Sequence, residues 1–145
     1  MAFLLRKTPG VSEVKENILL GAVAVTIDRV TYGVSGYGSQ ATAASVTTEN
    51  VIGVAAQTVD NSGGSAGDLS CLTELSPHAF YKIDTDGTPA QSQMFTSVDL
   101  VTNNGTADED DPKTTDAGVV KLIKLLDATN KKVLGRLNFW TTSDA

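Results

Sequence analysis

The sequence predicts an all-β protein: a small single-domain barrel or sandwich of short antiparallel strands, with an extended N-terminal arm. The chain has 145 residues, a length typical of one domain with a buried core. Hydrophobic residues make up 41% of it and charged residues 19%, as in folded globular proteins. Short segments rich in β-branched residues end in Gly, Asn or Asp at close intervals, which favours a sandwich or barrel.

The predicted strands follow one another from Ile18 onward. The strand candidates are residues 18–34, 51–59, 69–75, 78–87 and 95–105. Small residues and closely spaced glycines indicate a loop over residues 33–44. The Gly- and Asn-rich residues 60–68 indicate a turn between two strands, either a hairpin or a connection between sheets.

Residues 119–140 admit two interpretations. Apolar residues at helical spacing favour a helix over the first half, and these residues are Val119, Leu122, Ile123 and Leu126. The polar run Asp127 to Lys132 ends that half after about nine residues, and the segment beyond it has a strand-like pattern. We therefore predict a β-hairpin that turns between Asp127 and Lys132.

The first 17 residues show no sustained period, so we predict an arm over residues 1–17 and a β-rich domain over residues 18–145. The arm would need something outside its own core to order it. Its basic residues follow the apolar run instead of preceding it, unlike a signal peptide. The longest apolar stretch, residues 18–25, is far short of a membrane span. We expect a soluble chain made in a cytoplasm.

Charge and cysteine content exclude several classes of function. The net charge of −6 and pI near 4.6 disfavour binding to nucleic acid or to an anionic membrane. Cys71 is the only cysteine, so the chain can form neither an intrachain disulfide nor a cysteine-built metal site. We expect Cys71 to be a small buried residue on a strand.

One short motif points to catalysis. The letters DTDGT at residues 84–88 match the nucleophile loop of haloacid-dehalogenase-like phosphatases, in which two aspartates one residue apart hold magnesium and attack phosphorus. Asp84 and Asp86 have that spacing. That chemistry needs a parallel strand followed by a helix, and the residues after Thr88 lack an apolar helical stripe. We predict instead a strand entering a turn, in which both aspartates cap backbone amides and Gly87 adopts a left-handed conformation.

The remaining candidates for chemistry are weaker. His78 is the only histidine and no GxSxG motif accompanies it. The acidic residues Asp108 to Asp111 could hold a divalent cation, but they lack the spacing of a calcium loop, so a solvated acidic loop is favoured. We expect no catalytic residue, no metal and no cofactor.

The run ATAASVTTENVIGVAAQTVDNSGGSAGDLSCLTEL, residues 41–75, resembles the central segment of tailed-bacteriophage capsid decoration (cement) proteins. The resemblance extends through PHAFYKIDTDGT and SVDLVTNNGT to KLIKLLDATNKKVLGRLNF, roughly residues 40–140. It implies a small all-β structural protein on the outer surface of the virion capsid, made in the host cytoplasm. It also implies that the chain contacts the major capsid protein and itself as a homo-oligomer, usually a trimer and sometimes a dimer.

The arm supplies the first contact candidates. Phe3, Leu4 and Leu5 would be apolar anchors, and Arg6 and Lys7 would meet acidic groups on the capsid. Deleting residues 2–12 should then abolish head binding and leave the fold intact. The alternative for Phe3 to Leu5 is an N-terminal strand packed on its own domain.

Aromatic residues elsewhere supply further candidates. Trp140 would close the core or lie in a subunit interface. Tyr37 is a contact candidate in the small-residue loop. A different class of function, a tail- or fibre-associated module that binds a receptor, would use exposed aromatics around Tyr32 and Tyr37.

Overall fold

The predicted all-β class is confirmed. A computed structural model describes residues 3–7, 14–41, 50–75, 79–101, 106–112 and 118–138, and within these ranges the only helical segment is the single 3₁₀ turn Gln91–Gln93. The strands within these ranges are β1 (Phe3–Lys7), β2 (Lys15–Leu19), β3 (Ala24–Val25), β4 (Val30–Val34), β5 (Tyr37–Gln40), β6 (Val51–Ala55), β7 (Val59–Asp60), β8 (Ser70–Glu74), β9 (Phe80–Asp84), β10 (Ser97–Leu100), β11 (Ala107–Pro112), β12 (Val120–Asp127) and β13 (Lys132–Leu137).

The strands form two large antiparallel sheets and one small one. The six-stranded sheet has the order β1-β9-β13-β12-β10-β11, and the five-stranded sheet has the order β2-β8-β6-β4-β5. Strands β3 and β7 pair as a separate two-stranded sheet. Every strand pair is antiparallel, as expected for strands joined by short turns.

Both large sheets are curled. In the five-stranded sheet, Leu20 at the end of β2 bridges Gly38 of β5, the strand at the opposite edge. In the six-stranded sheet, Thr85 after β9 bridges Ala107 of β11, four positions along the strand order. Four strand spacings in a flat sheet would hold these residues about 19 Å apart. The two bridges therefore require each sheet to bend round toward a barrel.

The two sheets share one core. Strands β9 and β13 alternate buried and half-buried residues along their length, so each presents one face to this core. The ring of Phe3 packs edge-on against Tyr81 with a centroid separation of 5.7 Å. The core residues are Phe3, Val30, Ala41, Val51, Val54, Ala79, Tyr81, Ile83, Met94, Val98, Leu100, Ala107, Val119, Val120, Leu122, Val133 and Leu137. A second, smaller cluster contains Cys71, which is buried on β8 as predicted.

The predicted hairpin at residues 119–140 is confirmed by β12 and β13, which pair from Val120↔Leu137 to Asp127↔Lys132. Register irregularities between Leu122 and Lys124 and between Leu125 and Asp127 interrupt the simple alternation of β12. A bulge adds a residue to a strand and changes which face the next side chain meets. Val119 and Leu122 are buried whereas Leu126 is exposed, so the helical spacing of these residues does not mark one buried face.

The N-terminal residues differ from the predicted arm. β1 pairs with β9 in the register Phe3↔Ile83, and β2 pairs along its whole length with β8. The protein's own sheets therefore order both segments, whereas residues 1–2 and 8–13 lie outside the described ranges. Four of the five residues of β2 are exposed, as suits a strand at a sheet edge, so its sequence lacks the apolar alternation that would have predicted it.

Candidate functional site

The structure places the predicted contact residues in different environments. Phe3 is 1% exposed, so its ring belongs to the core and is not available as a capsid anchor. Deleting residues 2–12 would remove that core ring together with β1, so the expectation of an intact fold is corrected. Leu4, Leu5, Arg6 and Lys7 belong to β1, an edge strand, and only their backbone is described. Trp140 and His78 lie outside the described residues.

Tyr37 lines a cleft beside the turn between β4 and β5. The cleft has a volume of about 330 Å³, and its walls are largely apolar. Gly67 has a φ of 88° and lies against the Tyr37 ring, where an added Cβ would be 3.3 Å from Cε1. The cleft residues are Gly21, Ala22, Val23, Tyr32, Val34, Tyr37, Gly38 and Ser39. Both tyrosines are half-buried here, which differs from two freely exposed rings.

The DTDGT segment has a different geometry from a phosphatase nucleophile loop. Asp84 ends β9, which lies between two antiparallel neighbours, and its carboxylate contacts Nζ of Lys132 on β13. Asp86 is exposed, and its N–H donates to the carbonyl of Ala107 at 2.9 Å. The chain bends at Asp86 and Gly87, where the sequence predicts a turn. The parallel strand and following helix that the phosphatase chemistry needs do not occur at this position.

Gly87 serves a different purpose from the one predicted. The glycines with positive φ in the described ranges are Gly36 and Gly67, so Gly87 is not left-handed. A Cβ at Gly87 would lie 2.3 Å from Oε1 of Glu109. Glycine is needed here because a carboxylate from β11 occupies the space of a side chain.

The most distinctive exposed feature is the Phe95 turn, defined here as residues 91–96. It consists of the 3₁₀ turn Gln91–Gln93 and the three residues that lead into β10. Met94 is 5% exposed and packs in the core, whereas Phe95 beside it is 69% exposed. Met94 therefore anchors the turn, and Phe95 is presented to solvent.

The backbone of Phe95 is held in a conformation that bulky residues rarely adopt. Its φ is 67°, in the left-handed region. The N–H of Phe95 donates to the carbonyl of Leu122 at 2.7 Å, and the N–H of Leu122 donates to the carbonyl of Thr96 at 3.0 Å. The Thr96 hydroxyl donates to the carbonyl of Gln93 at 2.6 Å. These bonds fix the turn to β12 and maintain the strained conformation.

An exposed aromatic ring is typical of a binding site when hydrogen bonds hold its backbone in a strained conformation. Strain in a folded protein persists where the surrounding structure imposes it, and such positions cluster at sites of recognition. A backbone that is already fixed loses little conformational entropy when a partner covers the residue it carries. Phe95 is also the most exposed large apolar residue among those described, and the exposed ones are Val14, Leu19, Ile27, Val34, Leu69, Phe95 and Leu126.

Sequence reasoning did not identify Phe95 as a contact residue. The sequence predicts that Phe95 begins a strand, but β10 begins two residues later at Ser97. The available signal was a Met-Phe pair in an otherwise polar segment after Pro89. Such a pair predicts that at least one of its members is buried, and it does not say which.

Among the described residues, one group has the composition of a metal site. Asp108, Glu109 and Asp110 each offer a carboxylate oxygen, and these oxygens lie within 4.8 Å of one another. Glu109 is 3% exposed, whereas Asp110 is exposed.

Comparison with known proteins gives no relative of this chain. No protein-family model, curated protein or solved structure matches it. Among the described residues there is also no helix with the length and apolar character needed to span a membrane.

Proposed function

We propose that this chain is a structural virion protein that binds the outer surface of a phage capsid and stabilises contacts between major capsid protein subunits. The observation that carries a binding role is the Phe95 turn, in which a strained backbone presents a 69% exposed aromatic ring. The resemblance of residues 40–140 to capsid decoration proteins is the reason for proposing the major capsid protein as the partner. The proposal assigns a binding role and no reaction, cofactor or metal-dependent catalysis.

Phe95 has enough exposed surface to act as an anchor. A phenylalanine buries roughly 200 Å² when fully covered, so covering the 69% that is exposed would remove about 140 Å² from water. At about 25 cal/mol per Å², that area corresponds to about 3.5 kcal/mol. Residues that contribute more than about 2 kcal/mol dominate protein interfaces. One ring of this kind in each copy would therefore account for much of the affinity.

The same anchor would act many times on one particle. An oligomer of this chain, with a trimer favoured over a dimer, would place several Phe95 rings against neighbouring capsid subunits. Linked contacts bind far more tightly than single ones because the second contact forms at a high effective concentration. A cement role therefore needs only a modest contact from each chain.

The proposal is tested by titrating expanded, undecorated heads with the purified protein. We expect saturable binding by the wild-type chain and a loss of affinity of at least about 30-fold for Phe95→Ser, the change that corresponds to about 2 kcal/mol. Leu126→Ser is the matched control, because Leu126 is exposed on the β12–β13 hairpin and its backbone has an ordinary φ. Equal weakening by both substitutions would reject Phe95 as the anchor, and no binding by the wild-type chain would reject the proposal.

The cleft beside Tyr37 favours a second candidate, a tail- or fibre-associated module that binds a receptor. Two half-buried tyrosines in an apolar cleft of about 330 Å³ form a surface on which a sugar ring can stack. This function predicts binding to host cells or to their glycans, reduced by Tyr37→Ala and unaffected by Phe95→Ser. The capsid function predicts the opposite response to the two substitutions.

A further inference from the structure

We propose that Asp108, Glu109 and Asp110 form a binding site for a divalent cation, and that this cation is calcium. The site lies on β11 at the edge of the six-stranded sheet. It is independent of the Phe95 turn and of the proposed capsid role.

A bulge in β11 brings these carboxylates together. Consecutive side chains of a regular strand point to opposite faces, which would separate Glu109 from both aspartates. The pairing of β10 with β11 shifts register between Val98 and Leu100, and these two residues pair with Pro112 and Ala107. Between these two pairs, one residue of β10 lies opposite residues 108–111 of β11, and this stretch contains all three carboxylates of the proposed site. Bulges re-aim side chains in this way and are frequent beside functional sites.

Glu109 gives the second, independent indication of a ligand. Its side chain is 3% exposed, and within the described part of the chain its Oε2 has no hydrogen-bond partner. Its Oε1 lies against Gly87, in space that a Cβ would otherwise fill. A buried carboxylate with an unpaired oxygen is costly unless a positive charge compensates it. A cation between Glu109 and the two aspartates supplies that charge.

Protection of a sheet edge is an alternative reason for acidic residues on β11. Charged side chains on an edge strand prevent other strands from pairing with it, and this accounts for the exposed Asp110. Edge protection requires the charges to face solvent. It does not account for Glu109, whose carboxylate points into the protein.

The ligand set suits calcium better than magnesium. The carboxylate oxygens all lie within 4.8 Å of one another, close enough for one divalent cation to contact each of them. Mg²⁺ demands near-octahedral geometry and gives up its water reluctantly, whereas Ca²⁺ takes six to eight oxygens in a flexible arrangement. Calcium also accepts water for the remaining positions, and the exposed Asp110 leaves one side of the group open to solvent.

The site lies at the seam where the six-stranded sheet curls back on itself. The bridge between Thr85 and Ala107 and the hydrogen bond from Asp86 N–H to the Ala107 carbonyl join the end of β9 to the start of β11. Glu109 reaches Gly87 across the same seam. A bound calcium would therefore hold β11 against the bend that follows β9 and stabilise the closed form of the sheet.

The test compares thermal unfolding of the full chain in EDTA, in about 10 mM CaCl₂ and in about 10 mM MgCl₂. Three carboxylates and water predict a dissociation constant on the order of 1 mM, and ten-fold saturation would raise Tm by about 3–6 °C. We expect this rise with calcium and a smaller one with magnesium. Calorimetric titration should give one calcium per chain.

Three variants make the result specific. Glu109→Gln and Asp110→Asn should each abolish the calcium-dependent rise in Tm, and Asp110 is exposed, so its variant is expected to fold. Glu16→Gln is the matched control, because Glu16 is an exposed carboxylate on β2 of the other sheet, and it should retain the full rise. The proposal is overturned if calcium leaves the wild-type Tm unchanged, or if Glu109→Gln changes Tm by the same amount in EDTA and in calcium, since the Glu109 carboxylate would then take no part in calcium binding.

Discussion

Replacing Phe95 by alanine and by glycine separates its exposed ring from its strained backbone. Both substitutions remove the ring, but only glycine adopts a φ of 67° without a steric cost. About a third of the residue is covered in the fold, since it is 69% exposed, so at about 25 cal/mol per Å² loss of the ring should cost about 1–1.5 kcal/mol in either variant. The left-handed conformation costs an L-residue about 1–2 kcal/mol, which the alanine variant retains and the glycine variant does not.

The expected order of stability follows from these values. Phe95→Ala should be about 1–1.5 kcal/mol less stable than the wild-type chain. The extra flexibility of glycine in the unfolded state, about 0.5–1 kcal/mol, offsets part of the relieved strain. Phe95→Gly should therefore exceed Phe95→Ala by about 1 kcal/mol and approach the wild-type value. The assay is urea unfolding of the three proteins, followed by far-ultraviolet circular dichroism.

A matched pair at Leu126 provides the control. Leu126 lies in β12 and is not among the residues with positive φ, so glycine there should be less stable than alanine by about 0.5–1 kcal/mol. The glycine variant is thus expected to be the more stable of the two at Phe95, and the alanine variant the more stable of the two at Leu126. An alanine variant at Phe95 that equals or exceeds the glycine variant would refute the strained backbone, and with it the reason for treating this turn as a binding site.

Three further predictions concern the fold. Gly53→Ala should destabilise the protein by about 1–3 kcal/mol or more, because the added Cβ would lie 2.0 Å from the backbone oxygen of Glu74 on β8. Gly63→Ala is the control and should change thermal stability little, because no atom lies within 4 Å of its added Cβ. Asp84→Asn should cost at most about 1 kcal/mol in urea unfolding, because its ion pair with Lys132 is partly exposed, and should leave head binding unchanged; a loss of several kcal/mol would contradict this. Hydrogen bonds from the β12–β13 turn lower the pKa of Asp127 from its ordinary value of 3.8. The contribution of its carboxylate to stability is therefore complete above about pH 4 and is lost as the pH falls through the lowered pKa. Asp127→Asn should reduce the loss of stability that the wild-type chain shows on acidification below about pH 4, and an unchanged loss would contradict the prediction.

The sequence predicts those parts of the fold that depend on local patterns. β-branched segments with Gly, Asn and Asp between them give the all-β class, and the polar run from Asp127 to Lys132 gives the β12–β13 hairpin. Cys71 is buried on β8 between the half-buried Ser70 and Leu72, as the sequence predicts for a small apolar residue on a strand. Each of these features depends on residues adjacent in the chain.

The edge strands were not predictable in the same way. β1 and β2 are defined by their pairing with β9 and β8, which lie far along the chain. β2 has too few buried residues to show an alternating pattern, and the short β1 resembles an isolated apolar run. Long-range pairing, not local propensity, decides that these segments are strands.

The candidate sites depend on geometry that composition does not contain. Phe95 and Met94 are neighbours of similar hydrophobicity, yet Met94 is buried and Phe95, whose N–H donates to β12, faces solvent. The acidic residues of β11 have the composition of a solvated loop, but Glu109 is buried and lies against Gly87. The glycine of the DTDGT motif is thus explained by a carboxylate that lies 22 residues further along the chain.

The measurement that tests the capsid-binding role most directly is the number of chains bound to expanded, undecorated heads at saturation. Heads are sedimented after incubation with increasing amounts of purified protein, and the bound protein is quantified against the major capsid protein. The proposed role predicts a plateau at a fixed ratio of chains to capsid subunits, with Phe95→Ser shifting the midpoint to higher concentration and Leu126→Ser leaving it unchanged. Protein that stays in the supernatant at every concentration, or that binds without a plateau, would contradict it.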